Sequence, residues 1–267
     1  GSLVLCELLA RAKLDAALVE HVIMGCVSQV ADQTFNLARN TVLDAGLPID
    51  IPATTIDFQC GSSQQAVHLA AGMIASGQVE VMIAGGVESM TRVPMGSSMS
   101  GGQPFTDRMM DAYNLVPQGI SADEIAQKWQ ISREEADRIG YDSHMKAARA
   151  AANGWFQREI MPLEGLDETG NPVLADRDQG VRPNATLEKM ATLTPAFTGD
   201  GVTTAGNSSQ ITDGAAALLL MTSEKAAELG LKPRARIVSA VTVGSDPHLM
   251  LTGPIGATQK ALRKAGM

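Results

Sequence analysis

Apolar residues recur at helical spacing over residues 3–13, through Leu5, Leu8 and Leu9, and predict an opening helix. The run His21-Val22-Ile23-Met24-Gly25-Cys26-Val27 then reads as a short strand, and Asn36 to Ala45 as a helix stopped by Gly46 and Pro48. Residues 53–59 are β-branched or extended-prone and predict a second strand. An Ala-rich helix follows over 62–76, ending at Gly77. Val79 to Ala84 is a continuous apolar strand that closes in Gly85-Gly86. Continuous apolar strands alternating with helices predict a parallel sheet covered on both faces.

The character changes after Thr91. Residues 92–120 are rich in Met, Gly, Ser and Pro and show no clean period. Ser121 is placed to cap a helix over 122–129, and Ser132, three residues before Glu135, starts a helix over 133–151 with a capping box. Residues 160–200 alternate turns with short extended pieces. Strands return at 215–221 and 235–243, separated by a helix over 224–229, and a last helix over 257–265 ends at Gly266. The pattern therefore predicts an α/β core from 3–91 and 211–267, with 92–210 inserted between strands of one sheet.

Composition narrows the partners. The 267 residues carry a formal charge of −8 and only 3% aromatics, which argues against a nucleic-acid surface or a base-stacking platform. Any phosphorylated ligand must be met by a local basic cluster. Three cysteines, Cys6, Cys26 and Cys60, do not make a disulfide framework. Cys6 and Cys26 lie in apolar periodic stretches and are expected in the core. No apolar run reaches membrane-spanning length, and a cytosolic location is the default expectation. No metal-ligand spacing, phosphate-cradling Gly-Lys-Ser/Thr loop or nicotinamide fingerprint occurs.

Cys60 is the candidate for chemistry. It lies where the strand over 53–59 turns into the helix over 62–76, at a helix N-terminus whose unpaired N–H groups and dipole favour a thiolate, the nucleophilic form. A lone cysteine is more often a small buried hydrophobe, so position alone leaves both readings open. The glycines at 85 and 86 fit tight helix–sheet packing better than ligand binding.

Longer blocks add to this. Gln59-Cys60-Gly61-Ser62-Ser63, Ile83-Ala84-Gly85-Gly86-Val87-Glu88-Ser89-Met90, and Thr204-Ala205-Gly206-Asn207-Ser208-Ser209 with Asp213-Gly214-Ala215-Ala216 occur in that order. Together they resemble the thiolases, acetyl-CoA C-acyltransferases that make or cleave 3-ketoacyl-CoA, from about Glu7 to Met267. The resemblance implies a layered α/β/α core, a largely helical insertion that grips coenzyme A as a substrate, and dimers or tetramers. It implies that Cys60 accepts the acyl group and that its backbone N–H serves an oxyanion hole. It places Arg182 beside the adenine and phosphate end, Lys189 within reach of a phosphate, and Phe197, Ala205, Ser209 and Ile211 along the pantetheine tunnel. For Arg182 and Lys189 the rival reading is a solvated surface charge, and for Phe197 it is core packing. Pro117-Gln118-Gly119 stands where some acetoacetyl-CoA thiolases have His-Met-Gly, which leans towards a broader, degradative type.

The family's opening strand has no counterpart here and is expected at the centre of the first sheet, so that two neighbours would be left with unpaired ladder groups. The family's second half, with its histidine and second cysteine, is likewise unmatched. The four histidines do not replace them: His68 lies about 12 Å of helix rise from Cys60, His21 starts a strand, His144 lies in an insertion helix, and His248 is at a turn. Two other functions follow as alternatives. The chain could bind CoA without turnover, or it could be a ketoacyl-synthase-type condensing enzyme, which shares the cysteine-at-helix arrangement but not the long insertion.

Overall fold

The computed structural model describes residues 1–166 and 169–267. The chain forms two compact units, one from 1–104, 211–241 and 261–267, the other from 105–210 and 242–260. Among the described residues the strands are β1 (His21–Gly25), β2 (Ala53–Ile56), β3 (Val81–Glu88), β4 (Leu163–Leu166), β5 (Pro172–Ala175) and β6 (Gly214–Met221). The α-helices are α1 (Ser2–Ala12), α2 (Leu37–Asp44), α3 (Ser62–Ala75), α4 (Asp107–Tyr113), α5 (Gln118–Trp129), α6 (Arg133–Ala152), α7 (Leu187–Ala191), α8 (Ser223–Glu228) and α9 (Gly253–Ala265).

In the first unit a four-stranded sheet runs in the order β2-β1-β3-β6. Its side chains alternate between two cores, as the pleat requires. Val22 and Met24 of β1 and Val81 and Ile83 of β3 pack with Leu5 and Leu9 of α1 and Ala38 and Val42 of α2. Ile23, Met82 and Ala84 face Ala66 and Ala70 of α3 on the other side. This is the layered α/β/α arrangement, and burial on both faces is why β1 and β3 read as unbroken apolar runs.

Several expectations are corrected. The sheet is mixed, because β6 is antiparallel to β3, with Glu88 opposite Gly214. The chain leaves the sheet at Glu88 and returns at the same end, so the returning strand must run backwards. The centre of the sheet has no vacancy: β1 bonds β2 on one side and β3 on the other, residue by residue. β3 continues through Gly85-Gly86 instead of ending there. Residues 235–243 form no strand. β-branched composition favours an extended chain, but a strand exists only where a neighbouring ladder takes its N–H and C=O groups. Here lysines supply two of those partners, Lys260 Nζ donating to Thr242 O (3.0 Å) and Lys264 Nζ to Ala240 O (3.2 Å). Cys6 is exposed, since α1 turns Leu5 and Leu9 inward and leaves position 6 outside that stripe.

The second unit is mostly helical, with β4 and β5 as a separate antiparallel ribbon. The Ser132–Glu135 capping box opens α6 as expected. Ser121 does not cap α5: Pro117 is the N-cap, and Ser121 lies buried one turn inside. The pre-set φ of proline suits a helix start, so the helix begins earlier than the serine implies. α4 and α7 are too short to show a hydrophobic period and were not predicted.

Candidate functional site

Cys60 is exposed and immediately precedes Gly61, the N-cap of α3. The turn that presents it is tied locally. Gln59 has φ 49°, a left-handed conformation costly for a residue with a side chain. Its N–H donates to Asp57 Oδ1 (2.7 Å), an Asx turn. Ser62, 3% exposed, accepts from the Phe58 N–H (2.8 Å) and donates through its hydroxyl to Gln59 O (2.6 Å). Asp57, Gln59 and Ser62 thus hold the cysteine-bearing turn. Sequence reasoning passed over them, although Asp and Ser flanking a strand-to-helix junction are turn-forming residues.

The head of α3 rests directly on the sheet. Gly25 of β1 and Gly86 of β3 are register partners, and a Cβ on either would strike the first turn of α3 at Ser62 or Ser63. Gly85 likewise leaves room for the Ala216 carbonyl of β6. Gly86 thus serves helix–sheet packing as expected, whereas Gly85 meets the β6 backbone and not the helix; Gly25 joins Gly86 under the helix start. Beside them Glu88 accepts from the Val27 N–H (2.7 Å), the Ser28 N–H (3.2 Å) and the Gln33 amide (2.9 Å). Burial, then the Glu88 charge and hydrogen bond, push the Cys26 thiol up to about 12. Cys26 is therefore a packing residue. Asp213 accepts from Thr91 N (2.9 Å), the Thr91 hydroxyl and Ser89 Oγ (3.2 Å), joining the end of β3 to the approach to β6. The bond from the Thr91 hydroxyl, chiefly, lowers its carboxyl below the ordinary range.

In the second unit two buried carboxylates organise the stretch that carries three candidate residues. Asp123 of α5 accepts from Thr198 Oγ1 (2.7 Å), Val202 N (3.1 Å) and Thr203 N (2.9 Å). Burial raises its carboxyl, but the bonds from Thr203, Thr198 and Val202 outweigh this and hold it below the ordinary range. Asp137 of α6 pairs with Arg133 (2.8 Å) and accepts from the Asn207 amide (2.9 Å). Arg133 also donates to the Met190 and Leu193 carbonyls.

Phe197, Ala205 and Ser209 lie on this stretch, all exposed, with the Phe197 ring against Gly119. Arg182 is exposed; its N–H donates to His144 Nδ1 (3.2 Å) and its guanidinium to Gln179 O (3.3 Å). Lys189 is an exposed residue of α7. Cys60 and Ile211 belong to the first unit, where Ile211 is 65% exposed. Three of the histidines are engaged elsewhere. His21 meets Thr54 Oγ1 (3.3 Å), His144 accepts from Arg182, and His248 contacts Asn114 O and Glu124. His68 lines a cleft of about 610 Å³ between α3, β3 and β6. No group of His, Cys, Asp and Glu among the described residues could hold a metal ion, and no described helix is long and apolar enough to cross a membrane.

Residues 1–224 match the family model described as the thiolase N-terminal domain. The chain belongs to the thiolase family. It is 44% identical over 250 residues to a 3-ketoacyl-CoA thiolase of Aliivibrio fischeri, covering 93% of this chain and 64% of that protein. A 3-ketoacyl-CoA thiolase of Saccharophagus degradans is 45% identical over 262 residues, with coverage of 97% and 66%. One from Escherichia coli is 43% identical over 263 residues, with coverage of 98% and 67%. The chain thus spans about two thirds of the length of the relatives it matches, and slightly less for the first two.

Proposed function

We propose that the chain carries the acyl-accepting nucleophile and the CoA-gripping insertion of a degradative 3-ketoacyl-CoA thiolase working in the cytoplasm as a dimer or tetramer. The observation that carries this is Cys60, exposed on a strained turn just before the N-cap of a helix seated on the sheet. In the reaction the Cys60 thiolate attacks the 3-keto carbon of a 3-ketoacyl-CoA. The C2–C3 bond breaks, and acetyl-CoA departs as its carbanion takes up a proton. The shortened acyl thioester on Cys60 then passes to the thiol of free CoA, which restores the cysteine. Covalent capture divides one difficult transfer into two easier ones. Arg182 and Lys189 would meet the nucleotide end of CoA, while Phe197, Ala205, Ser209 and Ile211 would line the pantetheine path.

The engagement of His21, His144 and His248 with other partners favours a second reading, in which this chain takes up an acyl group or CoA without completing turnover. One experiment addresses both. Incubation with acetoacetyl-CoA in the absence of free CoA, followed by peptide mass spectrometry, is expected to show an acetyl group on Cys60. If later addition of CoA removes the acetyl group, the chain completes the cycle; if the group persists, the second reading holds. Folded protein with no adduct would defeat acyl capture by this chain.

A further inference from the structure

α5 presents two residues one helical turn apart on the same face, Gly119 and Asp123. Both meet the loop over 196–203. The Phe197 ring lies where any Cβ on residue 119 would be, so only glycine leaves it that seat. Four residues on, Asp123 is 8% exposed and its carboxylate accepts three bonds from the same loop, at Thr198, Val202 and Thr203. The Ala196 N–H donates to Thr203 O (2.9 Å), closing the loop on itself. Gly201 passes so near the carboxylate that a side chain there would collide with it. Phe197 itself is 50% exposed. Core burial therefore does not account for its position; the slot at Gly119 and the polar peg at Asp123 do.

We infer that Gly119 and Asp123 are positioning residues for coenzyme A, fixing Phe197 with one side seated on α5 and the other open to the ligand. The inference rests on the proposed reading of Phe197 as a wall of the pantetheine path. A pre-set wall spares the ligand the cost of ordering a loop and a side chain on binding. Neither residue touches the reacting atoms in this role, so the effect falls on CoA affinity and leaves the reactivity of Cys60 alone.

The test is calorimetric titration of CoA into the chain, with the rate of Cys60 alkylation by iodoacetamide, a reagent without a nucleotide, as the second readout. Asp123→Ala and Gly119→Ala are expected to raise the Kd about tenfold, the scale of one or two lost hydrogen bonds or a displaced contact. Asp123→Asn keeps an oxygen for the two amides and offers an N–H towards the Thr198 hydroxyl, so it should stay within about threefold of the unsubstituted chain. Alkylation should proceed equally in all. Unchanged affinity in both alanine variants overturns the inference while CoA binding stands. So does an asparagine variant as weak as the alanine one, or an alkylation rate that falls with affinity. If Asp123→Ala does not fold, Thr198→Val, which deletes one of the three bonds, must raise the Kd about threefold with alkylation intact, or the inference fails. A chain that binds no CoA overturns the underlying reading, and this inference with it.

Discussion

Gly25 and Gly86 face each other across the β1–β3 ladder, and the first turn of α3 rests on both. The two contacts differ in kind. A methyl on Gly25 would meet the backbone of Ser62 and Ser63, whereas one on Gly86 would meet the Ser63 hydroxyl and come within 2.9 Å of the Gly25 carbonyl. A side-chain hydroxyl can rotate away; a helix backbone must move as a body. Gly86→Ala is expected to cost about 1–3 kcal/mol, the usual range for overpacking, and Gly25→Ala more. Urea denaturation of the two variants, read side by side, checks the order. Equal stability of both with the unsubstituted chain would mean that α3 does not depend on this close approach.

The three cysteines should separate by reactivity. Cys26 is 1% exposed and its thiol is pushed up to about 12, so almost no thiolate exists at pH 8. Cys6 and Cys60 are exposed. Iodoacetamide at pH 8 is therefore expected to modify Cys6 and Cys60 in the folded chain and to reach Cys26 only after denaturant is added. Peptide mapping of modification in native protein tests this, and early labelling of Cys26 would contradict its place in the core.

Much of this arrangement was legible in the sequence, for a definable reason. Strands buried on both faces write unbroken apolar runs, so β1 and β3 could be located, and the strand-to-helix junction at Cys60 followed from the β-branched stretch before it and the Ala-rich stretch after it. The Ser132–Glu135 box is a local pattern read by local bonds, and it holds. Relations between distant residues left no such trace. The antiparallel direction of β6 depends on where the inserted segment returns, and the failure of 235–243 to form a strand depends on which neighbours it has. No local pattern singles out Asp123 on its helix; only the fold places the Val202 and Thr203 amides against it.

Asp213 gives a pH dependence with a defined sign. Its carboxyl is held low, first by the Thr91 hydroxyl, with further help from the Thr91 amide and Ser89. A carboxyl with a lower value folded than unfolded adds stability above its unfolded value, about 3.9, and loses it as pH falls through the folded value. Thermal melts from pH 6 down to pH 3 should therefore fall less steeply in Asp213→Asn than in the unsubstituted chain. Parallel curves would show that the carboxylate contributes nothing to holding the end of β3 against the start of β6.

His248 should act in the opposite sense. Its ring contacts the Asn114 carbonyl through Nδ1 (2.6 Å) and the Glu124 carboxylate through Nε2, while Asp246 accepts its backbone N–H (2.9 Å). Both ring nitrogens can donate only in the charged form. The Asn114 carbonyl, and after it Glu124 and Asp246, raise the His248 value above the ordinary one. A group with a raised value in the fold contributes its full stabilisation below its unfolded value, about 6.5, and loses it as pH rises through the folded value. Amides of 246–252 should thus exchange faster with increasing pH than base catalysis of exchange alone explains, and His248→Gln should remove the excess. The ring-proton NMR titration supplies the direct check: a midpoint at or below 6.5 would show that the Asn114 and Glu124 contacts do not hold the charged ring.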